Sequence, residues 1–156
     1  MPVLSPAGVQ EVMDYGLFGF ALSRFAGVWA GLKCIKDTIE VTSVVNGDPQ
    51  RLQFVTPEFD MPDGGLNIRL IDTPQDQEAR IIHHKRRAVQ AFARANRMDK
   101  RVLGKAGAKI GFVAAGKNWL DLAHAMQVLG MDQQAAVRHG VTTYKVAMTW
   151  PLDMQS

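Results

Sequence analysis

Gly111-Phe112-Val113-Ala114-Ala115-Gly116-Lys117-Asn118 has the glycine spacing and the lysine of a phosphate-cradling loop, G-x-x-x-x-G-K-[ST]. Asn118 stands where that loop needs a hydroxyl for magnesium. The residues between the glycines are apolar, as a strand requires. Nucleotide binding is therefore not expected, and the segment reads as a strand ending at a strand-to-helix turn. Ligands of open α/β sheets gather at such turns, which makes Lys117 a candidate for substrate or interdomain contact. Arg69 follows Gly64 and Gly65, a setting that suits a grip on a carboxylate or phosphate, or an interdomain ion pair. His83-His84-Lys85-Arg86-Arg87 is a cationic run. Neighbouring histidines on a helix point about 100° apart and share one metal poorly. Asp121 and His124, three apart on one helix, are placed to pair. With no nucleophile beside them they make no triad. No residue stands out as catalytic or as cofactor-binding.

Composition narrows the setting. The 156-residue chain is 47% hydrophobic and 21% charged, ordinary globular usage that excludes disorder as a description of the whole. A net charge of +3 is too small to imply nucleic acid. Cys34 is the single cysteine, so this chain alone cannot build a disulfide framework, a cysteine zinc site or a ligated iron–sulfur cluster. It falls in an apolar helical pattern and reads as a buried, inert thiol. No apolar run nears the ~20 residues of a membrane helix, and the first residues lack the basic and apolar regions of a signal peptide. The expectation is a cytoplasmic protein with no membrane and no nucleic-acid partner.

The elements that must position these residues follow from periodicity. Ser5-Pro6 reads as a helix start, and apolar residues then recur at helical spacing to a C-cap at Gly27. A second helix is expected over 28–39 and short strands over 39–45 and 51–55, separated by the turn Asn46-Gly47-Asp48-Pro49. Residues 56–77, with Pro57, Pro62, Gly64, Gly65 and Pro74, form an irregular connector. A long helix is expected over 76–98. It carries Ile81, Ile82, Ala88, Val89, Phe92 and Ala95 on one face, with Arg80, His83, Arg86, Arg87, Arg94 and Arg97 opposite. A buried strand over 108–115, helices over 118–130 and 132–140, and a strand over 141–148 complete a β-α-α-β unit, the beginning of a parallel sheet. Parallel strands are normally flanked and covered on both faces, so this unit reads as cut short.

The order of these segments resembles the fused indolepyruvate ferredoxin oxidoreductases. Ala21-Leu22-Ser23-Arg24-Phe25-Ala26-Gly27-Val28-Trp29-Ala30-Gly31-Leu32-Lys33 looks like the last helical region of their pyrimidine-binding domain. Gly64 to Arg69 resembles the connector that follows, and Gln77-Glu78-Ala79-Arg80 through Asn96 the long helix after it. Gly111 to Lys117, Asp121, and Tyr144 to Leu152 resemble the start of a transketolase C-terminal-like domain. Ala30 and Ala147 depart from the pattern, which has a larger residue and a glycine there. The resemblance implies an α/β chain of three parts. Residues 1–56 end the pyrimidine-binding domain, 57–103 form the connector and long basic helix, and 104–156 begin the transketolase C-terminal-like domain. It implies an internal fragment, inactive alone, of a homo-oligomeric enzyme that uses thiamine diphosphate, magnesium and iron–sulfur clusters, none held wholly by this chain. Such an enzyme oxidises an aryl 2-oxoacid to its acyl-CoA with coenzyme A and passes electrons to ferredoxin. Its remaining domains or subunits would be the partners. The alternative is a non-catalytic module that docks an acidic partner through the basic helix over 80–101.

Overall fold

The computed structural model describes residues 1–155 and shows an α/β fold with two small mixed sheets. In chain order the elements are β1 (Val3–Leu4), α1 (Val9–Ala26), β2 (Gly31–Leu32), α2 (Lys36–Ile39) and α3 (Pro74–Arg80). A π turn (Ile81–Lys85) runs directly into α4 (Arg86–Ala95). Then come β3 (Lys100–Leu103), β4 (Ile110–Ala115), α5 (Lys117–Val128), α6 (Gln133–His139), β5 (Val141–Val146) and β6 (Met148–Trp150). The first sheet has the order β2-β1-β6 and the second β3-β5-β4. As expected, β4 and β5 are parallel, aligned from Ile110 opposite Val141 to Ala115 opposite Val146. The strand β3, not anticipated, flanks β5 on its other side in antiparallel pairing.

The core forms where α1 crosses α4. Along α1, Tyr15, Phe18, Gly19, Leu22 and Ala26 are buried, spacings that lay one stripe along a helix. Ala88, Val89, Phe92 and Ala93 of α4 meet them, with Leu4, Leu66, Ala147 and Met148 closing the cluster. Phe92 packs its ring 5.3 Å from both Phe18 and Phe25. Each such buried side chain contributes about 1.5–3 kcal/mol. Gly27 ends α1 with φ of 62° and donates its amide to Ser23 O, the C-cap read from the sequence.

Several expectations fail, each because a distant partner outweighs local pattern. The first helix begins after Gly8, not at Ser5-Pro6. Ser5 N donates to Ala147 O, and Glu11 Oε2 takes the Ala7 amide. Of the helix expected over 28–39 only α2 exists, because Gly31 and Lys33 donate to Pro2 O and Leu4 O and lay β2 beside β1. Cys34 therefore lies outside any helix and is half-buried. Residues 41–48 form no strand; no ladder reaches them and Val44 is fully exposed. The expected strand 51–55 is also irregular. Its ladder is replaced by one side chain, Asn96, which accepts from Val55 N and donates to Val55 O. The strand expected over 141–148 breaks at Ala147 into β5 and β6. β4, expected to be buried, is an edge strand with Ile110, Phe112 and Val113 exposed.

A polar knot ties α1 to the second sheet. Glu11 accepts from Lys145 of β5 and from the Tyr15 hydroxyl one turn along the helix. The Lys145 ammonium lies 5.8 Å from the Trp119 ring of α5. Asp99 accepts the amides of Ala147 (2.7 Å) and Met148 (3.0 Å) at the break between β5 and β6.

Two outcomes follow. A methyl group at Gly27 would lie 2.1 Å from Leu66 O on a backbone that side chains avoid. Gly27→Ala is expected to lower unfolding free energy by at least about 2 kcal/mol in urea melts. Burial, then the charge of Glu11, pushes the Tyr15 phenol above its ordinary value. The unfolded chain releases that proton above about pH 10 and the folded chain keeps it. Stability from this group is therefore constant below that pH and falls as pH rises beyond it, by up to about 1.4 kcal/mol per unit. Tyr15→Phe should flatten the stability–pH curve above pH ~10, checked by denaturant titration at stepped pH.

Candidate functional site at the carboxyl end of the parallel strands

The turn from β4 into α5 places Lys117 at the first position of a 12-residue helix. Gly116 makes that turn with φ of 55° and ψ of −140° and closes against Ser5 and Pro6. A cleft of about 340 Å³ opens here. Ser5, Lys33, Lys117, Asn118 and Thr149 supply its polar groups, and Ile35 and Val113 part of its apolar wall. Ser5 Oγ and Thr149 Oγ1 lie 3.3 Å apart across the sheet, and Thr149 Oγ1 is also 3.3 Å from Val3 O. The free amides at the start of α5 face the same end, where a helix favours negative charge. The cleft thus combines two lysines, two hydroxyls and a helix start, a setting for an anionic group.

Lys117 is not free within it. Its ammonium sits 2.8 Å from both oxygens of Asp121, one turn along α5. That hydrogen bond holds the lysine above its usual value. Asp121 is therefore the partner of Lys117, not of His124 as the spacing suggested; i,i+4 favours the lysine's longer reach.

Arg69 lines a separate cleft, beside Asp72, Asp76, His83 and His84. Its guanidinium forks onto Asp72, with Nη2 2.6 Å and Nε 3.0 Å from Oδ1, and Nη1 donates to Asp63 O. The hydrogen bond from Arg69 holds the Asp72 carboxyl below the usual carboxylate range. Arg69 and Lys117 are thus not brought into one site. Each is neutralised by a carboxylate of its own segment.

The basic helix also spends charge internally. Arg80 donates to Gly65 O at 2.6 Å and lies 3.5 Å from Asp72, and Arg94 bonds Asp153 at 2.6 Å. Lys85 is buried, while Ile81 and Ile82 are half exposed. The π turn shifts the helix phase, so the apolar and basic faces read from regular α spacing do not continue through it. The knot of Glu11, Tyr15, Asp99 and Lys145 was not anticipated. Only the four-residue spacing of Glu11 and Tyr15 was legible, because the other partners lie some 90 to 130 residues away in sequence. Among the described residues no helix is long and apolar enough to cross a membrane.

No curated protein matches the chain. Residues 100–156, just over a third of its length, match the family model for the indolepyruvate oxidoreductase domain, and that stretch begins at β3 and takes in the whole β3-β5-β4 sheet.

Proposed function

We propose that this chain is a structural part of a thiamine-diphosphate-dependent 2-oxoacid:ferredoxin oxidoreductase. In this reading the parent converts aryl 2-oxoacids of the indolepyruvate type to acyl-CoA with ferredoxin as acceptor. The observation that carries it is the match of residues 100–156 to the indolepyruvate oxidoreductase domain. The resemblance of the upstream segments, in the same order, supports it. So does the exposed apolar face of the edge strand β4, where Val113 is 69% exposed, since parallel strands are normally covered. The remaining domains or subunits of a homo-oligomeric parent would supply that cover.

The residues present do not fit the parent's metal groups. Among the described residues no three His, Cys, Asp or Glu are grouped to hold a metal ion, and one cysteine cannot ligate a cluster. In this reading thiamine diphosphate, its magnesium and the clusters are none of them held wholly by this chain, and no chemical step is assigned here. The role of this chain is to position: Lys117 meets the substrate or a facing domain at the end of β4, and Arg69 braces the connector through Asp72.

The test is purification of the tagged chain with its native assembly. Indolepyruvate- and coenzyme-A-dependent viologen reduction is then measured, together with thiamine diphosphate content. Activity with bound thiamine diphosphate is expected, and Lys117→Met in the assembly should lower kcat/KM for the 2-oxoacid about tenfold, or about 1.4 kcal/mol. An assembly with neither thiamine diphosphate nor viologen reduction sinks the reading.

A further inference from the structure

A third pocket, of about 190 Å³, lies between the turn after α1, the connector and the long helix. Val28, Trp29, Ile68 and Ile81 line it with apolar surface, Lys85 and Arg80 bring cationic groups to it, and Asp72 is the one carboxylate in the lining. The π turn is what brings those two together. In a regular α-helix, residues five apart point about 140° away from each other. The i→i+5 turn over Ile81–Lys85 adds a residue to the turn, so Arg80 and Lys85 fall nearly in line. Such turns concentrate at functional sites.

The short-range pairing at this place is incomplete. Lys85 is 6% exposed, and its ammonium has one hydrogen bond, 2.8 Å to the neutral Gly27 O. No carboxylate lies within ion-pair distance of it among the described residues. Arg80 Nε is buried without hydrogen-bond geometry, 3.5 Å from an Asp72 already forked onto Arg69. Asp72 thus pairs at short range with two arginines and makes no ion pair with the lysine. Burial, then the charge of Arg80, pushes the Lys85 ammonium below its ordinary value, and the more distant Asp72 only partly offsets them. A buried ammonium with spare donors beside an apolar cavity is complementary to an anion that carries an apolar body. The volume selects a small one: a dry cavity of about 150 Å³ accepts benzene.

We propose that this pocket binds a small monocarboxylic acid with a single-ring or comparable apolar body, its carboxylate seated on Lys85 and Arg80. The site lies outside residues 100–156 and does not depend on the oxidoreductase reading. Calorimetry and chemical-shift mapping on the full 156-residue chain test it, with phenylacetate as probe and phenylacetamide as its uncharged counterpart. Phenylacetate is expected to bind and to shift Ile81, Val28 and Ile68, with phenylacetamide at least tenfold weaker. Lys85→Met keeps the length of the side chain and removes the charge. It should abolish phenylacetate binding while leaving Tm unchanged or raised, whereas a purely structural lysine would lose Tm on losing its bond to Gly27 O. Ile81→Glu, at a half-exposed position, puts a carboxylate at the pocket and should block the acid without unfolding the chain. Equal binding of acid and amide, no binding of either, or Lys85→Met binding phenylacetate like the wild type overturns the proposal.

Discussion

At Ala147 the chain leaves one sheet and enters the other, and the remaining contacts are arranged around that crossing. β5 is the central strand of the second sheet and β6 an edge of the first, with one residue between them. Ala147 and Met148 are fully buried, so their amides need partners inside the protein. Asp99 accepts both, and the Ser5 amide donates to the Ala147 carbonyl. Burial pushes the Asp99 carboxyl up while the two amides pull it back, a conflict that a solvent-exposed carboxylate would not have. This clamp and the Glu11–Lys145 pair together hold the first sheet and α1 against the second sheet.

The crossing also explains why the N-terminal segment is extended where a helix start was expected. Leu4 lies in the core and β1 is sandwiched between β2 and β6, so the backbone before Gly8 serves as a sheet centre. The same arrangement brings Ser5 and Thr149 to the mouth of the cleft at Lys117. The cleft is thus built from four places in the chain: Ser5-Pro6, the stretch after β2 with Lys33 and Ile35, the β4–α5 turn and β6. Glu11 and Lys145 separately link α1 to β5, with the ammonium lying over Trp119.

The long helix shows how one irregular turn redirects function. Its α3 start is a capping box, Thr73 and Asp76 exchanging bonds, and its α4 end packs Phe92 between Phe18 and Phe25. Both ends obey sequence rules. The π turn between them does not, and it turns Lys85 inward and Arg80 onto Asp72. A face that looks uniformly basic in sequence becomes partly an internal ion-pair network, with exposed Arg86 and Arg87 remaining outside.

What the sequence determined by itself was local and periodic: the stripe of α1 and its Gly27 cap, the long helix, the β4-α5-α6-β5 unit with Asp132 and Gly140 at the ends of α6, and the irregular connector. These follow from spacings of three, four and two residues and from the φ freedom of glycine. The likeness of the C-terminal stretch to the oxidoreductase domain was legible in particular residues, Gly111 to Lys117, Asp121 and Tyr144 to Leu152, and not in periodicity. Tertiary structure decided the rest. β1, β2 and β3 are two to four residues long and have no periodicity to read; they exist because a partner strand satisfies their backbone. Residues 41–55 have strand-like composition and remain irregular because no such partner reaches them. The same holds for the sites. Lys117 and Arg69 were visible as residue types, but whether a cation is free depends on which carboxylate lies within reach, and only the packed chain fixes that.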